Sequence, residues 1–230
     1  MTSQAERYFR ESEYWRAWSD VPDLTADIPY ALEALHPSDR RILDAPCGRG
    51  RLLRAVQELL PEAELYGLDV NEHMIAQVRR ELPRVTARVG SVLEIPFPDR
   101  SFDAVLCHES FMHFDRPGPA LAELARVARR RLYVSVTTTR QLNALLRRLG
   151  LLPPSGVPHW TYDYEDVRRM LPTSFGWEIR GAFLVGRKAL GLSHAGHLRW
   201  HRLVGRRLPQ WLLRRCGQSL FLYGTRKEPG

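Results

Sequence analysis

Lysine is nearly absent from this chain: of its 34 basic residues only Lys188 and Lys227 are lysines. Acidic residues are missing from a long stretch. Ile179 to Lys227 holds eleven Arg and Lys and no Asp or Glu, so the net charge of +8 is concentrated at the C-terminal end. Cysteine is scarce. Cys47, Cys107 and Cys216 form neither a CxxC pair nor an even set, which points to a reducing, cytoplasmic setting rather than a disulfide scaffold. No apolar run approaches the roughly 18–20 residues that a bilayer-spanning helix requires. The opening MTSQAERYFRESEYW lacks a basic segment leading into an apolar one, so no signal peptide is expected. A phosphate-binding loop ending in Gly-Lys-Ser/Thr is absent. His194, His197 and His201 share helical spacing, but no Cys, Asp or Glu joins them, and no metal site is expected.

What is present has the size of one domain, 230 residues. Short apolar runs, RRILDAP, AELYGLDV, RVTARVG, SFDAVLCH and RRLYVSVTT, read as buried strands. Between them RLLRAVQELLP, NEHMIAQVRRELP and PALAELARVARR carry apolar residues at helical spacing. This alternation predicts a doubly wound, mostly parallel α/β sheet, with ligands at the carboxyl ends of its strands. WEIRGAFLVG and SLFLYGTRK predict two more strands, an antiparallel pair at the sheet edge, and YDYEDVRRMLP a further helix. Residues 4–37 read as helical and rich in aromatics.

The stretch ILDAPCGRGRLL, residues 42–53, is strand, tight turn, then helix. Gly48 and Gly50 permit positive φ and let a ligand approach bare backbone, and the helix from about Arg51 turns its first amides to the same space. A dinucleotide fingerprint would have a third glycine where Leu53 stands. The loop therefore suits a nucleoside without a pyrophosphate. Asp69 ends the next strand about twenty residues on, where a carboxylate can accept both ribose hydroxyls. Asp69 or Asn71 can equally cap the helix that follows.

These segments resemble a known family. ILDAPCGRGRLL and YGLDVNEHMI are similar to the first two motifs of class I S-adenosylmethionine-dependent methyltransferases. VGSVLEIPFPDRSFDAVLCHESFMHF resembles the third and fourth motifs of the methyltransferase type 11 group, which includes ubiquinone and menaquinone biosynthesis enzymes, and ALAELARVARRRLYVSV that group's helix and fifth strand. The resemblance implies a Rossmann-like, seven-stranded sheet, mostly parallel with one antiparallel edge strand, and S-adenosyl-L-methionine as cofactor. It implies Asp44 near the amino group of the cofactor's methionine part, with the backbone of Ala45, Gly48 and Gly50 along that end. It implies Asp69 on the ribose and Val70 and Met74 about the adenine. Pro46 departs from the family's common Gly. Ser91 stands where the family often has an Asp for the adenine amino group, which leaves the amide of Val92 to serve. No Gly-Gly turn follows the helix before the fifth strand.

Methyl transfer from a sulfonium needs alignment, desolvation and at times a base. Candidates lie at the end of the fourth strand, in CHESFMH. His108 is the first choice of base, Glu109 can orient a histidine or accept an amine, and His113 is read as positioning. Cys107 is expected to pack against the cofactor rather than react. Tyr14 and Trp15, with Tyr8 and Trp18, serve as helix packing or as a lid and substrate wall, and His159 and Trp160 face the acceptor side.

The chain is expected to form one domain: residues 1–37 a helical lid, 38–137 the cofactor-binding core, and 138–230 the substrate side and basic end. The basic segment 196–216 reads first as an Arg-faced cover over the sheet edge, second as a peripheral membrane contact, and after these as a grip on nucleic acid or on an acidic small substrate. The expected activity is methyl transfer to O or N, or to C, of a small organic molecule. The alternatives are a lipid or prenylated substrate, an RNA, or a non-catalytic cofactor-binding regulatory module.

Overall fold

The computed structural model describes residues 3–11, 13, 27–138, 158–182, 209–216 and 219–228. The five apolar runs form β1 (Arg41–Asp44), β2 (Glu64–Asp69), β3 (Thr86–Val89), β4 (Phe102–Cys107) and β5 (Ala128–Thr137). β6 (Phe175–Ala182) and β7 (Ser219–Arg226) complete one sheet. The helices are α1 (Gln4–Glu11), α2 (Ile28–Leu32), α3 (Arg51–Leu59), α4 (Glu72–Glu81), α5 (Pro117–Val127), α6 (Tyr164–Met170) and α7 (Gln210–Cys216).

The strand order is β3-β2-β1-β4-β5-β7-β6. β1 to β5 are mutually parallel, and β7 runs antiparallel to both of its neighbours. The reversed strand lies one place in from the edge, and β6, outside it, runs with the parallel set. β4 is buried along its whole length, as a central strand covered on both faces must be. Alternate side chains feed two cores. Leu43, Val105, Cys107 and Val134 pack with α5 on one face. Ile42, Ala104, Leu106 and Tyr133 pack with α2, α3 and α4 on the other.

Two local details differ from the sequence reading. The helix expected to run through Arg130 stops at Val127, and β5 begins directly at Ala128. Ala128 opposes Phe102 of β4, and Arg129 and Arg131 form ion pairs with the buried Asp103 and Asp39 at the amino end of the sheet. Those pairings draw the segment into the strand, so the turn that a Gly-Gly would make is not formed. The residue missing from the glycine motif is also explained. A Cβ on Gly67 of β2 would lie 3.1 Å from Leu53 Cδ1 and 3.0 Å from Cys47 Sγ. The room for close helix–strand packing is made by Gly67 on the strand, not by a third glycine on the helix.

At the far edge α7 lies against β6. Gln210 Oε1 accepts from the Gly181 amide at 2.9 Å, and Arg214 Nε donates to the Ile179 carbonyl at 2.8 Å. Outward-facing backbone groups of the edge strand are thus satisfied. This part of the basic segment takes the edge-covering role; residues 196–208 lie outside the described residues. Among the described residues no helix is long and apolar enough to cross a membrane.

Candidate active site

The carboxyl ends of β3, β2, β1 and β4 stand in a row, roughly 14 Å from first to last at ordinary strand spacing. A cavity runs along this row. Its floor is the glycine loop between β1 and α3. Gly48 and Gly50 both have positive φ, +51° and +82°. A Cβ on Gly50 would come within 2.9 Å of Leu82 and 3.1 Å of Val78, so this glycine serves the packing of the α3 start on α4 rather than lining the cavity.

Two acids define the row's middle. Asp69, at the end of β2, accepts from the Gly48 amide at 2.8 Å and from the Asn71 amide at 2.9 Å. It fastens the glycine loop while still facing the cavity. Asn71, not Asp69, caps α4, accepting from the Met74 amide at 3.1 Å. Burial raises the Asp69 carboxyl, opposed by these backbone donors. Asp44, at the end of β1, is 2% exposed, and its Oδ1 is buried with no hydrogen-bond partner. Burial pushes its carboxyl up to about 8, opposed by the charges of His108 and Arg51. An orphaned buried carboxylate oxygen of this kind is completed by a cationic N–H donor.

The end of β4 carries a second polar cluster. His108 Nε2 lies 3.1 Å from Asp27 Oδ2, an ion-pair contact rather than a well-directed hydrogen bond, and both side chains are buried. The other ring nitrogen, Nδ1, faces the Tyr133 hydroxyl at 3.4 Å. Burial disfavours the charged ring, but the Asp27 and Glu109 carboxylates outweigh it and the His108 pKa is raised. Glu109 has a positive φ of 49°, unusual for a non-glycine residue. Its amide donates to Ser135 Oγ at 2.6 Å and its carboxylate meets Arg51 at 3.1 Å. Burial and the Asp27 charge push the Glu109 carboxyl up to about 7. Asp27, His108 and Glu109 each offer a ligand atom within 4.8 Å of the others, a grouping that no sequence spacing announces. His108 and the Arg51 guanidinium already stand against these carboxylates.

His113 lines the cavity from a 3-10 turn, Phe111–His113. Its Nδ1 is 2.7 Å from the Pro158 carbonyl and its ring packs on Phe9 and His159. Burial lowers its pKa, the carbonyl opposing and His159 adding. The Trp160 amide donates to the Met112 carbonyl at 2.7 Å, which brings the 158–160 segment beside His113.

α1 closes the cavity's outer side with Ser3, Ala5, Glu6 and Phe9. Its N-terminus forms a capping box: Ser3 Oγ accepts from the Glu6 amide at 3.1 Å, and Glu6 Oε2 accepts from the Ser3 amide at 3.3 Å. Among the described residues, three hydrogen bonds latch it to the body. Asn71 Nδ2 donates to the Phe9 carbonyl at 2.7 Å, the Ala5 amide donates to Asp115 Oδ2 at 3.1 Å, and Ser91 Oγ donates to Glu6 Oε1.

Of the residues assigned from sequence, Asp44, Pro46, Gly48, Asp69, Val70, Met74, Val92, His108, Glu109 and His113 line one cavity. Ala45 and Cys107 are fully buried in the core behind it, and burial raises the Cys107 thiol well above its usual range. Ser91 faces Glu6 rather than the cavity. Tyr14, Trp15 and Trp18 lie outside the described residues. Sequence reasoning missed Asp27 and Glu6, which reach the site by tertiary contact alone. Arg51 was visible only as the first residue of a helix.

Residues 43–134 match the family model of a methyltransferase domain. An uncharacterized methyltransferase of Schizosaccharomyces pombe is 29% identical over 60% of this chain and 51% of its own length. A demethylmenaquinone methyltransferase of Thermus thermophilus is 38% identical over 41% of this chain and 44% of its own. The chain thus spans about half the length, or less, of these curated relatives. Among solved structures, a S-adenosylmethionine-dependent methyltransferase of Thermotoga maritima superposes with a TM-score of 0.68 at 17% identity, covering 96% of this chain and 98% of its own. A magnesium protoporphyrin IX methyltransferase of Synechocystis with bound S-adenosylhomocysteine gives 0.65 at 18% identity, over 96% and 98% of the two chains. Residues 43–134 thus match a methyltransferase domain, and the chain shares the fold of solved S-adenosylmethionine-dependent methyltransferases.

Proposed function

We propose that the protein binds S-adenosylmethionine along the row of strand ends and transfers its methyl group to an O or N atom of a small organic acceptor. The observation that carries this reading is the Asp44 carboxylate, buried and short of a donor, one strand away from Asp69. Asp44 would take the amino group of the methionine part, Asp69 a ribose hydroxyl on its remaining lone pairs, and Val70 and Met74 the faces of the base. The cofactor, when bound, supplies a methyl on a sulfonium for in-line displacement. The remaining work falls to this chain's residues. Glu109, with a carboxyl near 7 and facing the cavity, is suited to receive the acceptor's proton at neutral pH. His108 is held between Asp27 and Tyr133, so it sets the charge beside Glu109 rather than meeting the acceptor. His113 forms a wall with Phe9, and His159 and Trp160 extend that wall on the acceptor side.

In this reading the chain is one functional unit, with residues 1–37 an N-terminal lid, whose α1 lines the cavity while its α2 packs into the core, over a core spanning 38–137. A lipidic acceptor is the second reading. It is favoured by Trp211, 67% exposed on α7 beside the basic Arg214. Calorimetric titration of S-adenosylhomocysteine is the test. Micromolar binding, about −8 kcal/mol, that is lost in Asp44→Ala and in Asp69→Ala supports the reading. No binding to the unaltered protein overturns it.

A further inference from the structure

The cavity's end at β3 contains a carboxylate that neither the glycine loop nor any strand end supplies. Glu6 comes from α1, outside residues 43–134, and is 7% exposed while lining the cavity. Its two oxygens point to different partners. Oε2 completes the capping box with the Ser3 amide, and Oε1 receives the Ser91 hydroxyl. Ser91 Oγ in turn accepts from the Leu93 amide at 2.9 Å, so the Glu6 carboxylate is held against the Gly90–Leu93 turn that leaves β3.

Order along the sheet assigns what this end must meet. Asp44 ends β1, Asp69 ends β2, and the Glu6–Ser91 pair stands at the end of β3. A nucleoside whose ribose lies at Asp69 and whose amino-acid part lies at Asp44 must carry its base on the β3 side, about one strand spacing further. The apolar walls there, Val70, Met74 and Val92, suit the faces of a flat ring. Its edge requires polar partners, because a buried exocyclic amine without an acceptor is costly. We propose that Glu6 is the specificity-determining residue for the cofactor's base: its carboxylate, carried in by α1, accepts the exocyclic amino group, and Ser91 holds it in place. The same group repels a ring with a carbonyl at that position. Base selection is thereby built into the lid, so only a closed α1 reads the base. This inference rests on the methyltransferase reading of the cavity.

The test compares S-adenosylhomocysteine with S-inosylhomocysteine, in which a carbonyl oxygen replaces the amino group. Both are titrated calorimetrically into the full chain and into Glu6→Gln. Glutamine preserves the capping box and removes the charge. The unaltered protein is expected to prefer the adenosyl ligand by about 10- to 100-fold. In Glu6→Gln that preference should fall to near unity or reverse, because the amide can donate to the carbonyl. An unchanged preference overturns the inference and leaves Glu6 as a cap and latch. Equal weakening of both ligands overturns it in the same way. Should Glu6→Gln bind neither, the double variant Glu6→Gln/Ser91→Asp decides. Recovery of the adenosyl preference supports a required carboxylate at this point, and no recovery overturns it. Absence of binding of either ligand to the unaltered protein removes the methyltransferase reading itself, an outcome distinct from all of these.

Discussion

At the scale of single residues, the proposed role of the Asp44 carboxyl would link cofactor binding to pH. Burial raises it to about 8 in the free protein, so below that pH it holds a proton that a cationic amino group would displace. A carboxyl raised on folding makes the folded state bind more protons than the unfolded one between about 4 and 8. Stability therefore falls as pH rises through that window. Ligand binding has the opposite sign, because the complex needs the ionised form. Affinity for S-adenosylhomocysteine should rise by up to about tenfold per pH unit from 6 toward 8. Calorimetry in two buffers of different ionisation heat should find proton release near pH 7. Asp44→Asn should weaken binding and flatten the pH slope; a slope kept in that variant would place the titrating group elsewhere. Both site acids were legible in the sequence, since each ends an apolar run beside a glycine turn or helix start. Asp27 and Glu6 were not. No local pattern marks a residue whose partner lies 81 or 85 positions away.

Elements were legible wherever local periodicity and tertiary packing agree. All five early strands and the helices between them follow from apolar spacing alone. The error came at the α5–β5 junction, where the alternation of ARVARRRLYVSV fits a helix end and a strand start equally well. Long-range pairs decided it, Arg129 with Asp103 and Arg131 with Asp39. Packing of elements also assigns two glycines a structural task that a motif reading misses. Gly67→Ala would drive a methyl into Cys47 and Leu53 and push α3 off β2. The expected loss is about 1–3 kcal/mol, measured by urea denaturation with the slope unchanged. Gly181→Ala meets the backbone of Leu213 at 2.3 Å, which cannot yield as a side chain can. It should undock α7 from β6, seen as faster hydrogen exchange across β6 and as self-association through the uncovered edge. An unchanged oligomeric state with protected β6 amides would show that α7 does not guard that edge.

Across the whole molecule, the two cores lie under the sheet's faces, and α1 belongs to neither. Among the described residues its hold on the body includes three polar latches and the packing of Phe9 on His113. Removing residues 1–11 should therefore change the thermal midpoint by only a few degrees while weakening S-adenosylhomocysteine strongly. A large drop in midpoint would instead make α1 part of the folding unit. The same arrangement bears on the timing of turnover. On the proposed function, a helix that forms one wall of the cavity would also obstruct the exit, and spent cofactor would leave at the rate at which the latches open. Residence time, rather than bond-making, would then set the steady rate. The first turnover would appear as a burst, and loosening a latch, as in Asp115→Ala, would speed the cycle even as it weakens the grip.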